Sequence, residues 1–562
     1  MMTPFKQVGK KAQSLRDAQM HNAGFAQGAP AAAAAVATEE ASEAVADTAI
    51  ESAAPIDVQA QRSARSRIIF GNVIDEKDYE RACKQKEGHI KHYGDDSEAI
   101  YHLQAAPAPV IGQRLGVRQL SLASKNAALD FKRDVQAAGP APVTARTVAD
   151  AQGAPVVIGN IRMGFGHYRI GMAMASAARA MGYTPYWFDL CGFPGTTATK
   201  LVQGQNKLYS MGSRLSQKVA PFNTLYWEPL NSEGFRQLSY NAGDQMNAEL
   251  FVPVYRDLPL DIPFVATHAW PAQGAIHAGL TRVVNAIPDN WPMALHLAEG
   301  SVHAVQTPGA ALGYQMLRGM SDKPLCPMPP GSVIECGHYI DHELVSNIEA
   351  NTQARLQRAS AGEPVRYLIC VGGAGAQKDY IRDLIRYLMR YVQAGEATLL
   401  INVGDHAKVW RQLKQNIPDL RAAVEHFNNF DEVEAFAAAA QTGTIEGIHA
   451  FCDKDIFSAV YSTNVLMRAC DVLVTKPSEL AYYPVPKMMI RRVGGHEAWG
   501  AIRAAELGDG TYELETVTDA CAMADAIQTD RGIIVDMGNH IVSAAACGVY
   551  DGAYKVIELA TR

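Results

Sequence analysis

One stretch limits the possible folds more than any other. From Asp471 to Thr511 the chain reads DVLVTKPSELAYYPVPKMMIRRVGGHEAWGAIRAAELGDGT. Val472–Val474 is a short apolar run of the kind used by a strand buried on both faces. Thr475-Lys476-Pro477-Ser478 breaks it, and Ser478 is placed to cap a helix whose first turn carries Glu479. Pro484 and Pro486 end that helix, and Lys487–Ile490 reads as the next strand. Gly494-Gly495-His496-Glu497 predicts a second tight turn, followed by a helix over Ala498–Leu507 that stops at Gly508. The order is strand, polar turn, helix, strand, glycine turn, helix. In an open parallel sheet both turns lie at the carboxyl ends of the strands, where ligands bind.

The same grammar recurs upstream. Val156–Asn160 predicts a strand, Met163-Gly164-Phe165-Gly166-His167 a glycine turn, and Tyr168–Met181 a helix ended by Gly182, with Pro185–Asp189 as the next strand. Phe264–Thr267, ending in His268, Val283–Ile287 and Val302–Gln306 are further strands, and Val333–Tyr339 is the last before a polar helix over Asn347–Gly362. Val365–Val371 then opens a second series. It runs into Gly372-Gly373-Ala374-Gly375-Ala376-Gln377-Lys378 and a helix through Tyr391. Such glycines let main-chain N–H groups face an anion, and the helix start adds positive charge. The loop lacks the Gly-Lys-Ser/Thr ending of a Walker A motif. No acidic residue closes the following strand, Ala397–Val403, as a dinucleotide fold requires; Gly404-Asp405-His406 ends it instead. A final helix is expected over Ser543–Leu559.

Between these series, Leu201–Leu258 is polar and aromatic, with Tyr209, Tyr226, Trp227, Tyr240 and Tyr255, and reads as helix with loops whose aromatics are either core or, as a family resemblance carried by the motifs implies, part of an acceptor side. Residues 1–62 are Ala-rich and then acidic, with few large apolar groups, and are expected to form a disordered tail. Residues 63–150 read as an accessory extension: Ser66–Val73 as a strand, Glu76–Lys86 as a helix, Ala105–Pro109 and Ala137–Pro142 as linkers. The balance of 58 acidic against 51 basic residues, net −7, argues against a nucleic-acid partner. Nine cysteines without a C-x-x-C spacing fit reduced thiols and a cytoplasmic setting. No apolar run reaches the length of a membrane span.

Three motifs together resemble one family. Thr475-Lys476, Glu479 seven residues before Pro486, and Gly495-His496-Glu497 in place of a G-Q-E turn are similar to the donor-binding half of GT-B glycosyltransferases of the MurG and monogalactosyldiacylglycerol synthase type. Gly164-Phe165-Gly166-His167-Tyr168-Arg169 resembles the family's G-G-x-G-G-H and G-G-G-H-R openings, with Phe165 as a departure. Gly372–Lys378 resembles its G-G-S-x-G-A turn. His268, Asp289, Trp291, His296 and Thr307-Pro308 fall where the galactolipid synthases carry comparable strand-end residues. The Lys476–Glu479 turn is shorter than the glycine-rich turn of the family.

The resemblance implies an α/β, GT-B fold: two facing Rossmann-like domains with parallel sheets behind the disordered tail. Residues 151–345 would be the acceptor domain, 346–545 the nucleotide-sugar domain and 546–562 a helix crossing back. It implies inverting transfer of a hexosyl or N-acetylhexosaminyl group from a UDP-sugar to an unidentified acceptor (lipid, glycan, protein or small molecule). No cofactor and no metal are implied. His167 would be the base, with Asp289 second. Gly372, Gly373, Gly375, Lys378, Lys476, Ser478, Glu479, Gly494, Gly495, His496 and Glu497 would hold the donor, with Arg491 as a further cation. Gly164, Gly166, Arg169, His268 and Trp291 would lie on the acceptor side. The Gly164–His167 turn is expected to face Glu479 and Gly494–Glu497 across one cleft. A nucleotide-sugar epimerase and a non-catalytic sugar-nucleotide-binding protein remain alternatives on the same scaffold. Peripheral contact with the inner face of a membrane follows from the analogy alone, since no strongly basic amphipathic segment stands out.

Overall fold

Apolar runs with β-branched residues become parallel strands, because only a strand covered on both faces by helices hides such a run completely. The computed structural model describes residues 65–562 apart from 125–128, 140, 217–218, 220, 222–224, 226–228 and 373–376. The tail expected over residues 1–62 lies outside the described residues. The described residues belong to one compact unit.

A hairpin of β1 (Ile68–Ile69) and β2 (Asn72–Val73) comes first; Phe70 and Gly71, both at positive φ, turn the single strand expected there into two. The first sheet contains β3 (Leu103–Pro107), β4 (Arg118–Leu122), β5 (Pro155–Asn160), β6 (Thr184–Asp189), β7 (Phe264–Ala266), β8 (Val283–Ala286), β9 (Val302–Val305) and β10 (Val333–Glu335). Their order is β10-β9-β8-β7-β5-β6-β4-β3, parallel throughout except for the antiparallel edge pair β3–β4. The second sheet contains β11 (Val365–Cys370), β12 (Ala397–Asn402), β13 (Val424–Phe427), β14 (Ile448–Cys452), β15 (Val472–Thr475) and β16 (Lys487–Met489). Its order is β13-β14-β12-β11-β15-β16, all parallel. This is the α/β, GT-B arrangement of two Rossmann-like domains with parallel sheets.

Strand order places the site. In the first sheet the chain steps from β5 to β6 on one side and returns to β7 on the other. In the second it steps from β11 to β12 and later returns to β15 on the opposite side. At each reversal the flanking crossovers diverge and leave a crevice at the strands' carboxyl ends. The loops there begin at Ile161 and Thr267 in the first domain and at Val371 and Lys476 in the second.

Three expectations are corrected. Ala105–Pro109 is not a linker: Leu103–Pro107 is the edge strand β3, where Pro107 costs no ladder bond, so the expected extension supplies strands to the main sheet. The single helix expected over Ser543–Leu559 is two, Gly532–Ala546 and Gly552–Thr561, separated at Gly548 with φ +72°. Gly532–Ala546 packs on the Ile348–Ala361 helix of the second domain, and Gly552–Thr561 on the Gly166–Ala180 helix of the first. Ser478 makes no side-chain cap, and Glu479–Tyr482 is one short 3-10 turn because Pro484 and Pro486 leave no room for more. Among the described residues no helix is long and apolar enough to cross a membrane.

Candidate functional site

The first crevice is built by β5 and β7. After β5, Gly164 adopts φ +75°, a conformation open to glycine, and the Gly166–Ala180 helix starts two residues later. A Cβ on Gly166 would stand 3.2 Å from Glu479 Oε2, so the missing side chain lets the other domain's carboxylate approach. His167 Nδ1 lies 2.7 Å from the Thr267 carbonyl just beyond β7. A carbonyl only accepts, so the proton sits on Nδ1 and Nε2 keeps its lone pair. Burial pushes the His167 pKa below its ordinary value, against the Thr267 hydrogen bond and the Asp289 charge, which favour the proton. His268 stacks edge-on with His167 at 4.9 Å. Its Nδ1 accepts the Trp270 N–H at 3.0 Å, capping the Ala269–His277 helix, and burial holds its pKa well below the ordinary value. His268 therefore acts as a neutral cap and wall.

Beyond β8, His296 Nε2 lies 3.3 Å from Asp289 Oδ2, and His296 Nδ1 lies 2.7 Å from the Tyr314 hydroxyl. Burial opposes charge on Asp289. The His296 hydrogen bond and the nearby His496 and His167 outweigh it and hold the carboxyl below its usual range. Trp291 stacks on Trp499 of the second domain at 5.2 Å and 19°, with the Arg236 guanidinium 4.3 Å from its ring centre. Trp291 thus joins the two domains beside the cavity.

The second crevice brings Gly372 against Lys476: a Cβ on Gly372 would lie 3.4 Å from Lys476 Cε. Lys476 Nζ ion-pairs with Glu497 Oε1. Burial opposes its charge, yet the Glu497 and Glu479 carboxylates raise its pKa. Glu497 Oε2 also accepts the Val493 N–H at 2.7 Å and the Gly494 N–H at 3.3 Å. Its carboxylate is therefore committed to the turn it follows and to Lys476. Glu479 lies 3.7 Å from Arg169 Nε. Arg169 does not simply face an acceptor: its guanidinium donates to the Val460 carbonyl at 3.3 Å and to Asn464 Oδ1 on the second domain's Ile456–Met467 helix.

One cavity of about 280 Å³ takes in both crevices. Gly164, Gly166, His167, Arg169, His268, Asp289, Gly372, Lys476, Ser478, Glu479, Gly494, His496 and Glu497 line it. Lys378 is exposed at the start of its helix and, like Gly495 and Trp291, is not among the described lining residues; Gly373 and Gly375 lie outside the described residues. The lining also includes residues with no motif around them: Asn206 and Tyr209 from the Thr197–Ser216 helix, Phe235, Met293 and Leu295, and Thr463 from the second domain. Tyr209 was visible only as one aromatic among several. Among the described residues no group of three or more His, Cys, Asp or Glu side chains is placed to hold a metal ion.

Two family models match along the chain. One, described as a domain of unknown function (DUF6937), covers residues 68–316. The other, also a domain of unknown function (DUF6938), covers residues 328–561. No curated protein matches the sequence. Solved structures with similar folds include UDP-GlcNAc 2-epimerase from Neisseria meningitidis bound to UDP-GlcNAc, at 10% identity and TM-score 0.39, covering 72% of this chain and 98% of that one. A trehalose-6-phosphate protein from E. coli bound with UDP-2-fluoro glucose matches at 10% identity and TM-score 0.37, over 73% of this chain and 99% of that one. A Thermobaculum terrenum O-GlcNAc transferase mutant matches at 12% identity and TM-score 0.29, over 74% and 68%. Superpositions this loose carry no argument about activity.

Proposed function

We propose that the protein transfers a hexosyl or N-acetylhexosaminyl group from a UDP-sugar to an acceptor hydroxyl, with inversion. The observation that carries this reading is the meeting of the two chain reversals on one cavity: Glu479 lies against Gly166, one residue before His167. The second domain would hold the nucleotide, with Glu479 accepting from the ribose hydroxyls. The first would hold the acceptor. His167 Nε2, unprotonated near neutral pH, takes the acceptor proton as the acceptor oxygen attacks the anomeric carbon. The bond to the diphosphate breaks, and UDP leaves with the electron pair. Lys476 and the main chain at Gly372 would meet the charge that develops. Placement near the MurG and galactolipid synthase type rests on the motifs at Gly164–Arg169, Gly372–Lys378 and Thr475–Glu497.

The test is a thermal-shift screen of nucleotide sugars followed by isotope-traced turnover. Saturation with a ligand at ~100 times its dissociation constant adds ~2.7 kcal/mol, a readily measured shift. Acceptor-dependent release of UDP supports transfer. Conversion of the sugar without any acceptor points to an epimerase. Binding with no conversion in any acceptor pool points to a binding protein, and no nucleotide-sugar binding at all ends the proposal.

A further inference from the structure

We propose that a second cavity, beyond Asn464 from the cleft, binds a compact zwitterion, a small molecule that carries an ammonium and a carboxylate together. The cavity has a volume of about 140 Å³. It lies where the segment joining the two domains, at Asp341, Glu343 and Leu344, meets the Phe430–Thr442 and Ile456–Met467 helices. A cavity of ~150 Å³ holds a benzene molecule, so this one has room for a ligand of about six heavy atoms.

Two of its carboxylates are already engaged. Asp341 accepts from Asn464 Nδ2 at 2.8 Å and from the Tyr483 hydroxyl at 3.1 Å, and Glu434 accepts from the Arg114 guanidinium at 2.9 Å. Glu343, Arg468 and Tyr461 are left over. The Glu343 carboxylate accepts from the Ser176 hydroxyl at 2.5 Å and has no cation partner among the described residues. The Arg468 guanidinium makes no ion pair or hydrogen bond among them, and its Nε is shut away from water. Tyr461 is 4% exposed, and its hydroxyl has no hydrogen-bond partner among them. The charges that act most on that hydroxyl are those of Glu343, Asp341 and Glu434, so it points into this cavity.

Solvation explains only part of this pattern. Glu343 and Arg468 are half-buried and reach water. Tyr461 is buried, and a buried hydroxyl without a partner is costly. Opposite charges that line one small space, paired neither with each other nor with anything else described, are closed by one molecule bearing both. Its carboxylate meets Arg468. Its ammonium sits between Glu343 and the Tyr461 hydroxyl, which accepts from it. A plain cation would leave Arg468 unmet, and a plain anion would leave Glu343 unmet.

β-Alanine and L-alanine are the probes, with ethylammonium and propionate as controls that carry one charge each. In saturation-transfer NMR on the full chain both amino acids should bind. Each control should bind ~10-fold or more weakly, the margin of one hydrogen bond to a charged group. Glu343→Gln and Arg468→Gln should each weaken β-alanine binding by the same margin while the unfolding midpoint stays put, since neither side chain holds an ion pair in the free protein. Tyr461→Phe should weaken it ~2–10-fold. A control that binds as tightly as β-alanine, unchanged binding in either Gln variant, or no binding of either amino acid would overturn the proposal. None of these measurements uses a nucleotide sugar, so their outcome is independent of the proposed transfer.

Discussion

Arg169 Nε of the first domain lies 3.7 Å from Glu479 Oε1 of the second. The rest of that guanidinium is anchored on Val460 and Asn464, so one buried side chain of the first domain meets Glu479 and the Ile456–Met467 helix of the second. Arg169→Met should cost ~1.5–3 kcal/mol, the range for hydrogen bonds to a charged group, and should loosen the two domains. Urea unfolding and small-angle scattering check this: a parent-like midpoint and radius of gyration would show that the clasp carries no load.

Glu479 and His167 should separate binding from chemistry. Glu479→Ala should weaken UDP-sugar binding by ~1.5–3 kcal/mol in calorimetric titration. His167→Ala should leave that affinity almost unchanged and lower turnover ~10²–10⁴-fold. Because the His167 pKa is held below its ordinary value of 6.5, the rate should be flat near neutral pH and fall only in acid, as Nε2 takes up a proton. A variant at His167 with parent-like turnover moves the base to Asp289.

Gly404 should report on closure of the cleft. It has φ +59°, and a Cβ there would meet the Phe165 ring at 2.5 Å, next to the Arg162–Asp405 ion pair at 2.6 Å. Gly404→Ala should destabilise by ~1–3 kcal/mol. In a Phe165→Ala background the collision disappears and only the backbone strain of ~1–2 kcal/mol remains. Strictly additive unfolding midpoints would mean that the ring and the glycine do not touch.

Asp341 should make stability depend on pH. It is fully buried, accepting from Asn464 Nδ2 at 2.8 Å and the Tyr483 hydroxyl at 3.1 Å, and burial pushes its pKa up to about 7. An acid whose folded pKa is raised contributes stability that is full below its unfolded value of 3.8 and is lost as pH rises through about 7. Asp341→Asn should therefore flatten the decline of melting temperature between those limits. Asp244 and Glu299, also pushed up to about 7, remain in both proteins and cancel in the comparison. Parallel curves for parent and variant would show that Asp341 titrates normally.

What the sequence reveals and what it hides divide along physical lines. β5, β7, β11 and β15 were legible because each combines a short apolar run with a turn signal within a few residues. Arg169 was legible as part of a motif but not as a clasp, since its partners stand 291 and 295 positions away and leave no local mark. Glu497 looked like a ligand residue by spacing; its bonds to Val493 and Gly494 give the same spacing a turn-holding role. β3 was hidden by Ala105 and Ala106, which give little strand signal, and by Pro107, which an edge strand tolerates and a central one does not.

The Gly552–Thr561 helix rests on the first domain, against the Gly166–Ala180 helix. On the ribosome the first domain emerges well before that helix exists. At ~5–20 residues per second, the nascent first domain would wait tens of seconds with this helix's seat uncovered. The second domain must be synthesised before the seat is filled. Vectorial synthesis thus leaves an apolar face of the earlier domain open to chaperones until translation of the later one is complete.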